Sequence, residues 1–260
     1  MASRLFEPNL SDLLHITNMK MKKLFFTTSR FEQFMMSFRH CNLLFLFLII
    51  SLGACAQLPS ISILGDSYST FEGYVTPSSN EMWYYEEPGN RTDVDDVTQT
   101  WWWQVINEGG FRLCANNSYS GSTIGYRGYD GNDYTDRSFI TRMDNIGNPD
   151  IILIFGATND SWAGEPVGEY KYDGWKKGDF YTFRPAMAYL LDHMLKRYPN
   201  VKVYFLLNSE LREDINASCL TICKHYNVPC IQLHDIHKIN GHPSKEGMKA
   251  IAKQVLDVIK

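Results

Sequence analysis

Four short blocks of this 260-residue chain carry side chains suited to nucleophilic chemistry. The first is Ile61-Ser62-Ile63-Leu64-Gly65-Asp66-Ser67-Tyr68-Ser69. An apolar run breaks at a glycine, and an acid and a serine follow at once. A strand that stops there places the Ser67 hydroxyl on a tight turn beyond its carboxyl end, where ligands bind in open α/β sheets. A free serine hydroxyl is nearly inert and needs a base within hydrogen-bond reach. His242 is the candidate base, in Gly241-His242-Pro243, where the following proline favours an extended backbone. Between these ends lie Asn117-Ser118-Tyr119-Ser120-Gly121-Ser122-Thr123 and Gly156-Ala157-Thr158-Asn159-Asp160. Taken singly, each block reads as an ordinary feature: an Asp-Ser turn, a turn glycine, an Asx turn or a helix cap. Their joint presence and order carry the inference.

Together the four blocks resemble the SGNH (GDSL-type) hydrolases, named for their Ser, Gly, Asn and His. The resemblance covers roughly residues 60–260. It implies a serine esterase in which Ser67 attacks, His242 takes the proton, and the Ser67 amide, Gly121 and Asn159 hold the oxyanion. Attack on an ester carbonyl puts a full charge on oxygen, and each preorganised donor is worth on the order of 3 kcal/mol. Glycine at 121 allows close backbone approach without a Cβ. The first block differs from the Gly-x-Ser-x-Gly elbow of α/β-hydrolases, because position 69 is Ser. A helix expected after Ser67 would aim backbone N–H groups at the site.

The family's last block is Asp-x-x-His, and here Ile239 holds the acid position. Either Asp235 orients the imidazole from another loop path, or the site is a Ser–His dyad with a backbone carbonyl on Nδ1–H. His234, Asp235, His237 and His242 form an alternative zinc set. No familiar zinc spacing such as His-Glu-x-x-His occurs, so no metal is expected. No dinucleotide glycine fingerprint and no phosphate loop is present, so no cofactor is implied.

The elements that must position these residues alternate. Apolar, β-branched runs predict strands at Ile61–Leu64, Phe111–Ala115, Ile151–Phe155, Val201–Leu207 and Cys230–Leu233. Helical patterns predict Thr100–Glu108, Tyr181–Arg197, Arg212–Tyr226 and Ser244–Ile259, with Ser244 as a cap. Five strands alternating with helices predict a three-layer α/β/α domain with a mostly parallel, flavodoxin-like sheet. Two long irregular segments, Gly73–Val97 and Gly125–Asp136, follow motif-bearing turns and are expected to wall a substrate cleft. Trp101–Trp103, Trp162 and Trp175 could stack on a sugar, but packing is the expected role for at least half of the aromatics. Trp162, three residues past Asn159, is the best placed to line the cleft.

The amino-terminal part is different in kind. Leu43–Leu52 is apolar, too short for a confident membrane span and the right length for a signal-peptide core. Leu52-Gly53-Ala54-Cys55 follows, resembling the bacterial lipoprotein box, with Cys55 as the lipidated first residue. Residues 1–54 therefore read as an upstream extension plus a lipoprotein signal peptide, and residues 55–260 as one SGNH hydrolase domain. The expected location is the bacterial cell envelope, lipid-anchored at the membrane. The 55–260 part holds 19 Lys/Arg and 26 Asp/Glu, a net −7 that disfavours nucleic acid. Cys219 and Cys223, four apart on a helix, are expected as buried thiols, with Cys114–Cys230 or Cys223–Cys230 pairing left open. The sequence thus points to a carboxylic ester hydrolase acting on O-acetyl esters, with a carbohydrate or glycan ester as the favoured substrate. A lysophospholipid or thioester substrate is less favoured, since no apolar lid is evident. The rival is a non-catalytic glycan-binding lipoprotein on the same fold, and Ile239 is its best argument.

Overall fold

The computed structural model describes residues 57–260. The Leu43–Leu52 run and Cys55 lie outside the described residues. Strands β1 (Ser60–Gly65), β2 (Arg112–Ser118), β3 (Ile151–Gly156), β4 (Lys202–Leu207) and β5 (Cys230–Gln232) form one sheet in the order β2-β1-β3-β4-β5. Every neighbouring pair is parallel. This is the flavodoxin-like order, and its direction of winding switches between β1 and β3.

The two central strands are buried along their whole length, as their unbroken apolar runs require. Side chains alternate between the faces of the sheet. Ile151, Leu153 and Phe155 join Ile61 and Ile63 on one face, packed against α1 (Trp101–Gly109) and α6 (Lys245–Ile259). Ile152 and Ile154 join Leu64 on the other, with α2 (Phe139–Arg142), α4 (Phe183–Arg197) and α5 (Glu213–His225). A one-turn helix, α3 (Thr158–Trp162), follows β3 directly. The domain is therefore a three-layer α/β/α sandwich. Ser244 caps α6, its hydroxyl accepting the Gly247 N–H at 3.2 Å. Met248, Ile251, Ala252, Val255 and Ile259 of α6 recur at helical spacing and face the sheet.

One expectation needs correction, and two points that the sequence left open take definite form. After Ser67 the chain makes only a 3-10 turn, Ser67–Ser69, in place of a helix. Thr70 leaves it in extended conformation, and its hydroxyl accepts the Trp83 N–H at 2.9 Å, drawing the chain into the following loop. The His242 block is a hairpin: β6 (Lys238–Ile239) pairs antiparallel with β7 (His242–Pro243). Its two turn residues, Asn240 (φ 50°) and Gly241 (φ 76°), are both left-handed, as a two-residue type I′ hairpin demands. Finally, Cys114 and Cys230 lie on opposite edges of the sheet, so they cannot pair. Cys114, Cys219, Cys223 and Cys230 are all free thiols, Cys219 and Cys223 buried.

Candidate active site

Ser67 stands at the carboxyl end of β1, beside the β1/β3 switch point, and is 3% exposed. Asp66 builds its turn: the Asp66 carboxylate caps it by accepting the Tyr68 N–H at 3.0 Å. Asp66 is fully buried, and the loss of solvent pushes its carboxyl up to about 7. No hydrogen bond joins it to His242 among the described residues; besides the turn, it interacts with Thr158 and with the Arg142 cation.

His242 faces Ser67 from the hairpin. Its Nε2 lies 2.9 Å from the Ser67 Oγ, and its Nδ1 lies 3.1 Å from the Asn240 carbonyl oxygen. A carbonyl can only accept, so Nδ1 carries the proton. Nε2 is then bare and accepts the Ser67 hydroxyl, the tautomer a general base needs. The left-handed turn at Asn240 is what aims that carbonyl inward. The Asn240 side chain ties the hairpin outward as well, donating to the Arg91 carbonyl at 3.0 Å.

Aromatic rings enclose the imidazole. Trp83 stacks flat on it, with centroids 3.6 Å apart and planes 7° from parallel. Trp162 meets it edge-on at 5.7 Å and Tyr68 tilts against it at 5.2 Å. Two buried tyrosines hold the backbone on either side of it: Tyr68 donates its hydroxyl to the Gly241 carbonyl at 2.5 Å, and Tyr84 to the Pro243 carbonyl at 2.8 Å. Burial disfavours the charged imidazolium and pushes the His242 pKa down to about 4. The Asn240 bond opposes this, and the cations Arg91 and Lys238 add to it.

Asp235 does not reach the imidazole. Its carboxylate is exposed and pairs with the His234 Nδ1 at 2.8 Å. The intervening β6 strand carries His242 back toward Ser67 and leaves Asp235 outside. Of the two alternatives for orienting the imidazole, it is the Asn240 carbonyl and not Asp235 that lies at Nδ1. The alternative zinc set is dispersed in the same way: His237 bonds the Ser244 hydroxyl at 2.6 Å while His242 bonds Ser67. Among the described residues, no group of three or more His, Cys, Asp or Glu side chains could hold a metal ion.

Gly121 and Asn159 complete the setting. The Ser122 N–H bonds the Tyr119 carbonyl at 3.2 Å, closing a turn whose third residue is Gly121 at φ 79°, the type II position that glycine suits. A Cβ at 121 would meet open space, so glycine is needed for the backbone angle and not for close approach. The backbone N–H groups of Ser67 and Gly121 have no acceptor among the described residues. Asn159 is 2% exposed in the first turn of α3. Its Nδ2 donates to the Ser122 carbonyl at 3.0 Å, and its Oδ1 accepts the Tyr129 hydroxyl at 2.8 Å. Ala157, just before α3, is held at φ 74°, a left-handed angle that strains a non-glycine residue.

One buried arginine binds these pieces together. Arg142 of α2 donates to the carbonyls of Asn117 and Gly65, the latter at 3.1 Å, and to the Ser122 hydroxyl at 2.9 Å. It therefore ties the ends of β1 and β2 to the Gly121 turn. Trp83, Tyr84 and Tyr129 fall in the two long loops that the sequence expects to wall the cleft, whereas Arg142 and Asn240 are additions that the structure makes. Of these, Asn240-Gly241 carries a usable signal, since Asn-Gly is the strongest short hairpin dipeptide. The aromatics divide. Trp101 and Trp102 are buried in the core, Trp175 packs at its rim, and Trp162 is 43% exposed beside His242.

The model of the GDSL-like Lipase/Acylhydrolase family matches residues 59–259, and the chain belongs to that family. It is 64% identical to a protein of Bacteroides ovatus ATCC 8483 described as a GDSL-like lipase, with a TM-score of 0.76, covering 76% of this chain and 96% of that one. A protein of Bacteroides uniformis ATCC 8492, described in the same words, is 53% identical with a TM-score of 0.76, covering 78% and 95%. A carbohydrate esterase family 2 enzyme plus carbohydrate-binding domain from Corynascus thermopiles (Myceliophthora fergusii) shares the fold at 15% identity and a TM-score of 0.51, covering 79% and 67%. No curated protein matches the sequence. Membership supports hydrolysis of acyl esters as the general activity.

Proposed function

We propose that the protein is a serine-dependent carboxylic ester hydrolase acting on O-acyl esters of carbohydrate, with acetyl the favoured acyl group. The observation that carries the reading is the 2.9 Å bond between the Ser67 Oγ and a His242 Nε2 left bare by the Asn240 carbonyl. In this mechanism the Ser67 hydroxyl proton passes to Nε2 as Oγ attacks the ester carbonyl. The oxyanion settles among the N–H groups of Ser67 and Gly121 and the free N–H of Asn159. The imidazolium then returns the proton to the departing alcohol, leaving an acyl-serine. Water, deprotonated by the same nitrogen, releases the acid and restores Ser67. A carbonyl in place of a carboxylate fixes the tautomer but lends no charge to the imidazolium.

A sugar is favoured as the alcohol because Trp162 presents exposed aromatic surface next to the base. A fold neighbour described as a carbohydrate esterase supports the same direction. Export as a lipoprotein through Cys55 belongs to this proposal and rests on the sequence alone.

A fluorophosphonate probe tests the chemistry, because it reacts only with an activated serine. Labelling should add one phosphonyl group, located by peptide mass spectrometry on Ser67, and His242→Ala should suppress it. An unlabelled folded protein would leave the glycan-binding reading standing.

A further inference from the structure

Asn159 is an amide, and an amide can be turned over. In one orientation it offers N–H to the reaction; in the other it offers a carbonyl oxygen, which would repel an oxyanion. Two contacts select the first orientation. The Ser122 carbonyl accepts from Nδ2 at 3.0 Å, and the Tyr129 hydroxyl bonds Oδ1 at 2.8 Å. Asn159 is buried, so no water competes for either atom with ease. The Tyr129 bond has a second consequence. A donor on the amide oxygen draws electron density away from the nitrogen and makes its remaining N–H a stronger donor, since hydrogen bonds in a chain polarise one another.

We infer that Tyr129 is a positioning residue of the oxyanion site, holding and polarising the Asn159 amide through its hydroxyl. This rests on the oxyanion role proposed above for Asn159. The segment that carries Tyr129 is built to hold it. The Gly128 N–H bonds the Asn132 carbonyl at 2.9 Å, and the Asn132 side chain returns to the Tyr129 carbonyl at 2.9 Å. Asp130 and Gly131 are both left-handed, at φ 56° and 75°, which folds the loop tightly enough to aim the ring inward. Tyr181 anchors its far end, donating to the Asp133 carboxylate at 2.9 Å. Burial pushes the Tyr129 hydroxyl up to about 12, so it keeps its proton at any practical assay pH.

A double-mutant cycle on the full chain separates this role from mere support of the loop. With p-nitrophenyl acetate as substrate, Tyr129→Phe should lower kcat about fivefold to tenfold and leave KM within about twofold, as loss of a transition-state contact does. Asn159→Ala should lower kcat about 100-fold or more. In the Asn159→Ala background, Tyr129→Phe should cost nothing further, because there is no amide left to polarise. If the tyrosine change multiplies its full factor in both backgrounds, or leaves kcat unchanged in the first, Tyr129 does not act through Asn159. If Asn159→Ala is silent, the oxyanion reading itself fails, and the inference with it. Circular dichroism and thermal melting of each variant confirm that rates are compared between folded proteins.

Discussion

Ser67→Ala should abolish ester hydrolysis, lowering kcat by about 10⁴-fold to 10⁶-fold, the range seen when a nucleophile is removed from a preorganised site. The fold should survive. Among the described residues the Ser67 hydroxyl is bonded only to His242, and its turn is built by Asp66 and Thr70 through groups the change leaves untouched. Losing one buried hydrogen bond costs about 1 kcal/mol, so the melting temperature should move by only about 2–4 °C. Acetate release from an acetylated oligosaccharide and from p-nitrophenyl acetate, followed by pH-stat and by absorbance, measures the effect on both substrate types. A folded alanine variant with wild-type rates would remove Ser67 from the chemistry.

His242→Ala should be nearly as severe, about 10³-fold to 10⁴-fold or more in kcat. Asp235→Asn should stay within about twofold of wild type, because an exposed carboxylate paired to His234 has no path to the imidazole. The contrast between these two variants is the measurement, since a carboxylate-assisted site would lose orders of magnitude from the second as well. The pH profile adds an independent check. His242 acts as base only when neutral, and burial holds its pKa down to about 4. Activity should therefore stay level as pH falls from 7 to about 5 and drop only as pH passes through about 4. An ordinary histidine would give that drop near 6.5. A limb near 6.5 in the wild-type enzyme would mean the imidazole is far better solvated than its packing against Trp83, Tyr68 and Trp162 allows.

The sheet is legible because its signal is local. Ile151–Phe155 is an unbroken apolar run, and its shortness and its β-branched residues favour a strand buried on both faces over a buried helix. The parallel crossovers that the intervening helices impose narrow the strand order to a few, and the resemblance of the four blocks selects the flavodoxin-like one. Much of the site is less legible, and the reason is physical. Ser67 and His242 are read from type and context, since few side chains can attack or abstract. The group that orients His242 is a backbone carbonyl, and every residue has one. Its direction depends on the left-handed turn at Asn240-Gly241, so only the turn leaves a trace in sequence. Asp235 misleads for the opposite reason: it has the right chemistry and is carried to the wrong side by two residues of strand. Tyr129 and Trp83 are tyrosine and tryptophan in long loops, where composition alone gives each many possible partners. The expected helix after Ser67 fails because Thr70 bonds Trp83 far along the chain, an interaction that local propensity cannot weigh.

Tyr68 follows the nucleophile directly, and its hydroxyl is fastened to the turn that precedes the base. In most two-loop sites the reacting groups ride on separate segments, and each opens to solvent on its own schedule. Here the two segments form one cooperative unit. Partial openings that part serine from histidine while leaving either in place must first break a buried tyrosine contact, which shifts them toward the cost of opening the surrounding core. Amide hydrogen exchange along Ser69–Thr70 and at Ser244 would then share one opening free energy. A protein built this way passes from competent to unfolded with few half-assembled states between, so its activity on heating should follow its melting curve and not fall away beforehand.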